Sequence, residues 1–208
     1  MQGQASKVLR LVAELMTILK DKTRVPLKPI RVETAPLADE IRKRASSLVF
    51  QKDVRVTVFA NRECHESIEI DQSAMDRIVD NVLSNAAKYT TRGSIIIELD
   101  GVPDFLVLKI GDTGRGIEAA EIDRAFRPGQ SDEGLRAPNS YGVGLAGTVD
   151  LLGELGGRLE VMSRVGEGTT FWIYLPVRPP REAKTIDLTE KRREKRLLEV
   201  VRVRKHPG

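Results

Sequence analysis

An amphipathic pattern over residues 76–90 predicts the helix around which the rest of the chain is organised. Its apolar residues recur at helical spacing and form one face: Ile78, Val79, Val82, Leu83 and Ala86. Asn81, Asn85 and Lys88 fall within an arc of roughly 60° beside that face. Amide oxygens are hard ligands that suit Mg²⁺, and a lysine ammonium is a point charge that suits phosphate. The flank of this helix is therefore either simply solvated or a wall that faces a ligand carrying metal and phosphate.

The patterns along the rest of the chain predict an α+β domain. Helices are expected over residues 35–50 with Thr34 as N-cap, over 119–126, and from 142 to about 155, while Asp71 is expected to cap the 76–90 helix. Strands are expected over 54–58 and 68–70, and as two hairpins, 94–100 with 105–111 and 158–163 with 169–175. This order predicts a two-layer α/β sandwich, in which helices cover one face of a mixed, mostly antiparallel sheet.

Three segments are expected in the 208 residues. Residues 29–177 form the domain. Residues 1–28 contain an apolar stripe over 8–20 that predicts a helix packed on the domain or on a partner, and it is a possible remnant of a dimerisation or linker helix. Residues 178–208 form a tail with 11 Lys/Arg against 5 Asp/Glu, so the net charge of +4 is a property of the tail. The tail could be solvated charge, a docking segment or a further element, and residues 197–203 could be helix or strand.

Composition excludes several classes of protein. Aromatic residues make up only 4% of the chain, which argues against a nucleic-acid binder that stacks on bases. No apolar run approaches the roughly 20 residues that a membrane span needs, and the N-terminus does not have the form of a signal peptide. A single cysteine, Cys64, excludes an internal disulfide and agrees with a reducing, cytoplasmic compartment.

Two glycine-containing motifs add candidate chemistry. Asp112 ends an apolar strand and opens the hexapeptide DTGRGI at 112–117, so a buried carboxylate could accept from the exocyclic amine of a purine beside Gly114 and Gly116. Gly142 and Gly144 open a helix, where free backbone N–H groups and the helix dipole can bind phosphate. The long loop over 127–141, rich in Pro, Gly, Ser and Asn, is expected to be a lid.

In order and spacing, these motifs resemble the nucleotide-binding boxes of the GHKL ATPase/kinase superfamily, and most closely the catalytic ATP-binding domain of bacterial histidine kinases. The N box is matched by DNVLSNAAKYT at 80–90 and the G1 box by DTGRGI at 112–117. The F box is matched by IDRAF at 122–126, the G2 box by GVGLA at 142–146, and the last hairpin by GEGTTF at 166–171. The resemblance covers roughly residues 29–177 and implies a Bergerat ATP-binding fold with ATP and Mg²⁺ as cofactors.

The resemblance also implies roles for individual residues. Asp112 would accept from the adenine amine, Asn85 would hold Mg²⁺ with help from Asn81, and Lys88 would meet phosphate. Asn81 and Lys88 would also be the catalytic residues. The remaining nucleotide contacts would come from the following residues: Tyr89, Gly114, Gly116, Ile117, Phe126, Tyr141, Gly142, Val143, Gly144, Leu145 and Thr170.

Position 81 favours a kinase over an ATPase. The resembling ATPases, gyrase among them, carry a glutamate four residues before the metal-binding Asn, whereas this chain has Asn81, and an amide cannot be a general base. Neither His65 nor His206 has the context of a phosphoacceptor. The expected function is therefore transfer of the γ-phosphoryl group to a histidine outside this chain segment, with a dimerisation/phosphoacceptor helix domain and a response-regulator receiver domain as partners, and possible homodimerisation through the N-terminal helix.

Two alternatives remain open at this point. The first is a stand-alone GHKL kinase that acts on Ser/Thr, as anti-sigma-factor kinases do. The second is a non-catalytic module that binds ATP as a sensor or docks a partner, with the basic tail as contact surface.

Overall fold

A computed structural model of the chain describes residues 26–49, 53–118, 121, 122, 124, 126, 144–179 and 200–204. These residues form eight strands and three helices. The helices are α1 (Thr34–Leu48), α2 (Gln72–Tyr89) and α3 (Gly144–Leu155). The strands are β1 (Ile30–Glu33), β2 (Val54–Ala60), β3 (Ser67–Ile70), β4 (Gly93–Val102), β5 (Phe105–Asp112), β6 (Arg158–Arg164), β7 (Gly168–Pro176) and β8 (Val201–Val203).

The strands form one large mixed sheet and one small sheet. The large sheet has six strands in the order β2-β4-β5-β7-β6-β8, in which β2 pairs with β4, and β6 with β8, in parallel. The other three pairings are antiparallel, and β1 and β3 form a separate antiparallel pair. The predicted mixed, mostly antiparallel sheet is confirmed.

All three helices bury their apolar faces against the same side of the large sheet. Alternate strand residues such as Ile97, Leu108 and Ile173 join the apolar faces of the helices in one core, in which Ile78 and Leu152 are fully buried. The intervening strand residues face the opposite side, where Phe59 and Ile96 are 41% and 46% exposed. The predicted two-layer α/β sandwich with helices on one face is therefore confirmed.

One of the two predicted helix caps is wrong. Asp71 caps α2, because its carboxylate accepts from the Ala74 N–H at 2.8 Å. Thr34 does not cap α1; the N-cap is Glu33, whose side chain makes no capping hydrogen bond. The Thr34 hydroxyl donates instead to the carbonyl of His65, so a contact between the helix start and the segment before β3 takes the place of a local cap.

Part of the basic tail belongs to the sheet. Strand β8 pairs in parallel with β6, and Val200 beside it is buried in the core. Arg204 donates to the Glu160 carboxylate and to the Tyr174 hydroxyl, and its guanidinium lies 4.1 Å from the centre of the Trp172 ring. Strand β8 is therefore an edge strand of the large sheet, and Arg204 after it contacts the face opposite the helices. Strand is one of the two conformations that the sequence allows for residues 197–203.

Several sequence predictions lie outside the described residues. These are the helix over 8–20, the loop over 127–141 and most of the tail. The short helix over 119–126 lies partly outside, although Ile122 and Phe126 are described and buried.

Candidate functional site

The flank of α2 that carries Asn81, Asn85 and Lys88, called here the asparagine flank, lies beside the apolar face, as the sequence pattern predicts. Asn81 and Asn85 are half-buried, Lys88 is exposed, and the apolar face of the helix is buried in the core. Asn81 Nδ2 donates to the hydroxyl of Thr148 on α3 at 3.2 Å. The asparagine flank of α2 therefore borders the helix that Gly144 opens.

The C-terminal end of α2 adjoins the segment after β5 through Tyr89. The Arg115 N–H donates to the Tyr89 carbonyl at 3.3 Å, and the Arg115 guanidinium lies 4.6 Å from the centre of the Tyr89 ring. The Lys88 ammonium lies 4.9 Å from the same ring. Tyr89 is therefore accompanied by two cations, which places positive charge beside the asparagine flank, where a polyphosphate would need it.

Asp112 lies at the end of β5 with its carboxylate in a confined polar environment. Burial raises the pKa of Asp112 above its ordinary value, and hydrogen bonds from the N–H groups of Gly114, at 2.8 Å, and of Thr169 oppose that shift. The fully buried Thr90 hydroxyl also favours the charged form. Thr90 Oγ1 forms no hydrogen bond with the described residues, so it acts on Asp112 as a nearby polar group. A desolvated carboxylate surrounded by donors is suited to one more donor, such as an adenine amine.

Glycine is required at two positions of the DTGRGI segment. A Cβ atom on Gly114 would lie 2.5 Å from the Tyr89 carbonyl oxygen and 2.8 Å from Asp112 Oδ1. Gly116 has φ +69°, and a Cβ atom there would lie 2.1 Å from the Arg164 carbonyl oxygen. Both glycines therefore let the segment pack closely against neighbouring backbone. This packing explains the need for glycine more specifically than the expected approach to a purine ring does.

A second layer of hydroxyls, which the sequence patterns did not indicate, supports this segment. The Ile117 N–H donates to the Ser163 hydroxyl at 2.8 Å. Ser163 in turn contacts the Thr169 hydroxyl at 2.8 Å and the Gly168 carbonyl at 3.1 Å. The β6–β7 hairpin thereby holds the segment after β5 in place beside Asp112. A small polar residue at a strand end gives no periodic signal, so only the tertiary contact reveals Ser163.

Thr170, which is predicted to contact nucleotide, does not lie with the hydroxyls of Ser163 and Thr169. Alternation along β7 places Thr170 on the outer face of the sheet with Trp172, and a Cβ atom added to Gly111 would lie 3.3 Å from its hydroxyl. Thr169 shares the inner face with the core residue Phe171 and pairs in register with Asp112. Thr169, and not Thr170, therefore shares the face of β7 that adjoins Asp112, while the nucleotide contact at Thr170 stays a prediction.

The remaining predicted site residues are only partly described. Ile117 and Leu145 are half-buried and pack against the core, and Phe126 is buried in it. Gly144 is the first residue of α3. Tyr141, Gly142 and Val143 lie outside the described residues.

The side chains available as ligands restrict how a metal ion could be bound. Among the described residues, no group of three or more His, Cys, Asp or Glu side chains is arranged to hold a metal ion. A divalent cation at Asn81 and Asn85 would thus depend on amide oxygens together with the oxygens of a bound phosphate.

The match to a known family agrees with this geometry. Residues 70–179 match the family described as histidine kinase-, DNA gyrase B- and HSP90-like ATPases. The chain belongs to this ATPase family. The matched region contains the asparagine flank of α2, Asp112 and the start of α3, and the resemblance drawn from the five sequence boxes is confirmed. Strand β8 and helix α1 lie outside the matched residues.

Within this family, the chain is similar in sequence to sensor histidine kinases. The sensor histidine kinase RcsC of Escherichia coli K12 is 26% identical over 180 residues, which cover 85% of this chain and 19% of RcsC. The sensor histidine kinase AtsR of Burkholderia thailandensis is 36% identical over 126 residues, which cover 58% of this chain and 21% of AtsR. The chain therefore spans about a fifth of the length of these curated relatives.

Several solved structures share the fold of this chain. Full-length ShkA in complex with AMPPNP superposes with a TM-score of 0.65 at 17% identity, over 97% of this chain and 47% of that one. The mycobacterial sensor histidine kinase MprB superposes with a TM-score of 0.54 at 27% identity, over 74% of this chain and the whole of that one. Of the helices in the described part of the chain, none has the length and apolar character that crossing a membrane demands.

Proposed function

We propose that residues 29–177 bind Mg-ATP and transfer its γ-phosphoryl group to a histidine outside this chain segment, as the catalytic ATP-binding part of a sensor histidine kinase in two-component signalling. Family membership and the similarity to sensor histidine kinases support this proposal. Asp112 would recognise the adenine amine, Asn85 and Asn81 would hold Mg²⁺, and Lys88 would meet phosphate. When bound, the Mg²⁺ ion would neutralise charge on the phosphate oxygens.

The observation that carries the proposal concerns the carboxylates of α2. This helix has two, Asp76 and Asp80, and both pair with Arg44 of α1, at 2.8 and 3.3 Å. Position 81, one turn before Asn85, is an amide that donates to Thr148. Helix α2 therefore offers no general base for the activation of water, so bound ATP would persist until an acceptor arrives.

The proposed partners are a dimerisation/phosphoacceptor helix domain and a receiver domain of a response regulator. Residues 1–28 would contribute to a homodimer or to the link with the phosphoacceptor helices. A cytoplasmic location would bring the chain together with ATP and with a receiver domain.

Phosphotransfer to a defined acceptor tests the proposal. The chain is incubated with γ-labelled ATP, Mg²⁺ and the isolated dimerisation/phosphoacceptor domain of a related sensor kinase, and the label on the acceptor is then treated with acid and with base. We expect label that acid removes and base does not, as phosphohistidine requires. Asn85→Ala is the matched negative control, and it should transfer no label.

Two other outcomes would replace the proposal. Acid-stable label on a serine or threonine would indicate a kinase of the anti-sigma-factor type. ATP binding without transfer to any acceptor would indicate a module that senses nucleotide or docks a partner.

A further inference from the structure

Thr148 places a buried hydroxyl in the second turn of α3. The helix begins at Gly144, and Thr148 has no exposed surface. The next buried residues of the helix, Val149 and Leu152, are apolar. A hydroxyl in such surroundings is unfavourable unless it forms a hydrogen bond, so the partner of Thr148 indicates what the residue does.

One partner of the Thr148 hydroxyl is the amide of Asn81. Asn81 Nδ2 donates to Thr148 Oγ1 at 3.2 Å, and the contact joins residues 67 positions apart in sequence. It connects the helix that would present its N-terminus to phosphate with the helix that would carry the metal ligands. The NH₂ end of the amide faces Thr148, and this hydrogen bond restricts rotation of the Asn81 side chain.

We infer that Thr148 is a positioning residue that orients the Asn81 amide for Mg-ATP. The inference rests on the proposed function and adds a residue to it. Only the oxygen of an amide can bind Mg²⁺, and Nδ2 is the end of Asn81 that contacts Thr148. A side chain that rotated freely would spend part of its time in conformations unable to bind metal.

The contact also couples the two sides of the nucleotide site. Thr148 follows Gly144 by one turn on α3, and Asn81 precedes Asn85 by one turn on α2. The contact therefore joins the two helices that would hold phosphate and metal.

Thr148→Val tests the inference, because valine keeps the shape of threonine and removes the hydroxyl. We expect ATP affinity without metal to stay within about twofold of wild type, and the gain in affinity on adding Mg²⁺ to fall about tenfold, the range expected for loss of one hydrogen bond. At saturating ATP, kcat for transfer should fall about tenfold with a smaller change in KM. Thr148→Ser should restore both quantities. The same Thr-to-Val change at Thr57, which is exposed on β2, is the matched control and should change neither.

A double-mutant cycle separates positioning from packing. If Thr148 acts through Asn81, Thr148→Val should have no further effect on kcat or on the Mg²⁺-dependent gain when Asn81 is already alanine. Additive losses in the two variants would overturn the inference, as would a Thr148→Val loss that serine does not restore. Full activity of Thr148→Val would overturn it as well.

Failure of the proposed function is distinguishable from failure of the inference. If wild type transfers no phosphate to any acceptor, the proposed function is refuted, while the Mg²⁺-dependent gain in ATP affinity still tests Thr148. All measurements are made below the unfolding midpoint of each variant, so that loss of folded protein does not enter the comparison.

Discussion

Replacing Asp112 by asparagine separates the binding role of this residue from its effect on folding. The N–H groups of Gly114 and Thr169 both donate to the Asp112 carboxylate, and the Thr90 hydroxyl also favours its charged form. These three protein groups are donors, and the proposed ligand group, an adenine amine, is a donor too. An asparagine has only one acceptor end, so its NH₂ group must face either Gly114 or the adenine.

The size of the effect follows from this conflict. Loss of a hydrogen bond to a charged group costs about 1.5–3 kcal/mol, and a donor that faces a donor places the loss toward the upper end of that range. ATP affinity should fall about 10- to 150-fold, because each 1.4 kcal/mol corresponds to a factor of ten. Isothermal titration calorimetry with ATP measures this directly.

The same variant should not be less stable without nucleotide. Burial raises the pKa of Asp112, so the folded chain disfavours the ionised carboxylate that is present at neutral pH. The contribution of such a group to stability is fully present below its unfolded pKa and is lost as the pH rises through its folded pKa. Asparagine carries no charge, so Asp112→Asn should unfold at the same temperature as wild type or higher at pH 7.

The control is the same change at Asp104, in the turn at the other end of β5. Asp104 is exposed and has φ +66°, a conformation that asparagine also tolerates. Asp104→Asn should change neither ATP affinity nor stability. Unchanged ATP affinity in Asp112→Asn would refute the adenine-site assignment. A large drop in its unfolding temperature would refute the argument from burial.

Three further predictions concern pH, metal and the C-terminal strand. ATP affinity should fall as the pH drops through the raised pKa of Asp112, and calorimetry of Asp112→Asn should show no such fall in that window. Asn85→Ala should lose the gain in ATP affinity on adding Mg²⁺, and a gain that survives in a calorimetric titration would contradict the metal role of Asn85. Arg204→Ala removes one ion-pair partner of the buried Glu160 and a contact with Trp172, so it should lower the free energy of unfolding by about 1–2 kcal/mol and the unfolding midpoint by about 2–8 °C. Arg202→Ala, in β8 itself, is its control, and equal midpoints of the two variants in a thermal scan would show that the Arg204 contacts do not anchor β8.

Much of the fold follows from local patterns. The apolar stripe of α2, the Asp71 cap and the hairpins around the β4–β5 and β6–β7 turns all arise from residues close together in the chain, and the structure has each of them. The N-cap of α1 was predicted at Thr34 because threonine suits that position locally. A hydrogen bond to the His65 carbonyl, 31 residues away, draws the Thr34 hydroxyl elsewhere.

Some features of the candidate site likewise follow from the sequence, and others follow only from the tertiary structure. The sequence by itself determined that Asn81, Asn85 and Lys88 share one flank of a helix and that Asp112 ends a buried strand, because helical and strand periodicity are properties of consecutive residues. Only the tertiary structure decided that Thr169 and not Thr170 faces Asp112, since a register step of one residue reverses the face of a strand.

Sequence patterns also do not identify contacts between residues that lie far apart in the chain. Thr148 meets Asn81 across 67 residues, and Arg204 meets Glu160 across 44. The residues around each member of these pairs give no sign of its partner. The apolar periodicity of a helix or strand shows which face meets the core, and it does not show which polar residues meet. The sequence therefore determines the order of the five motifs, while tertiary packing decides the contacts of Asn81 with Thr148 and of Arg204 with Glu160.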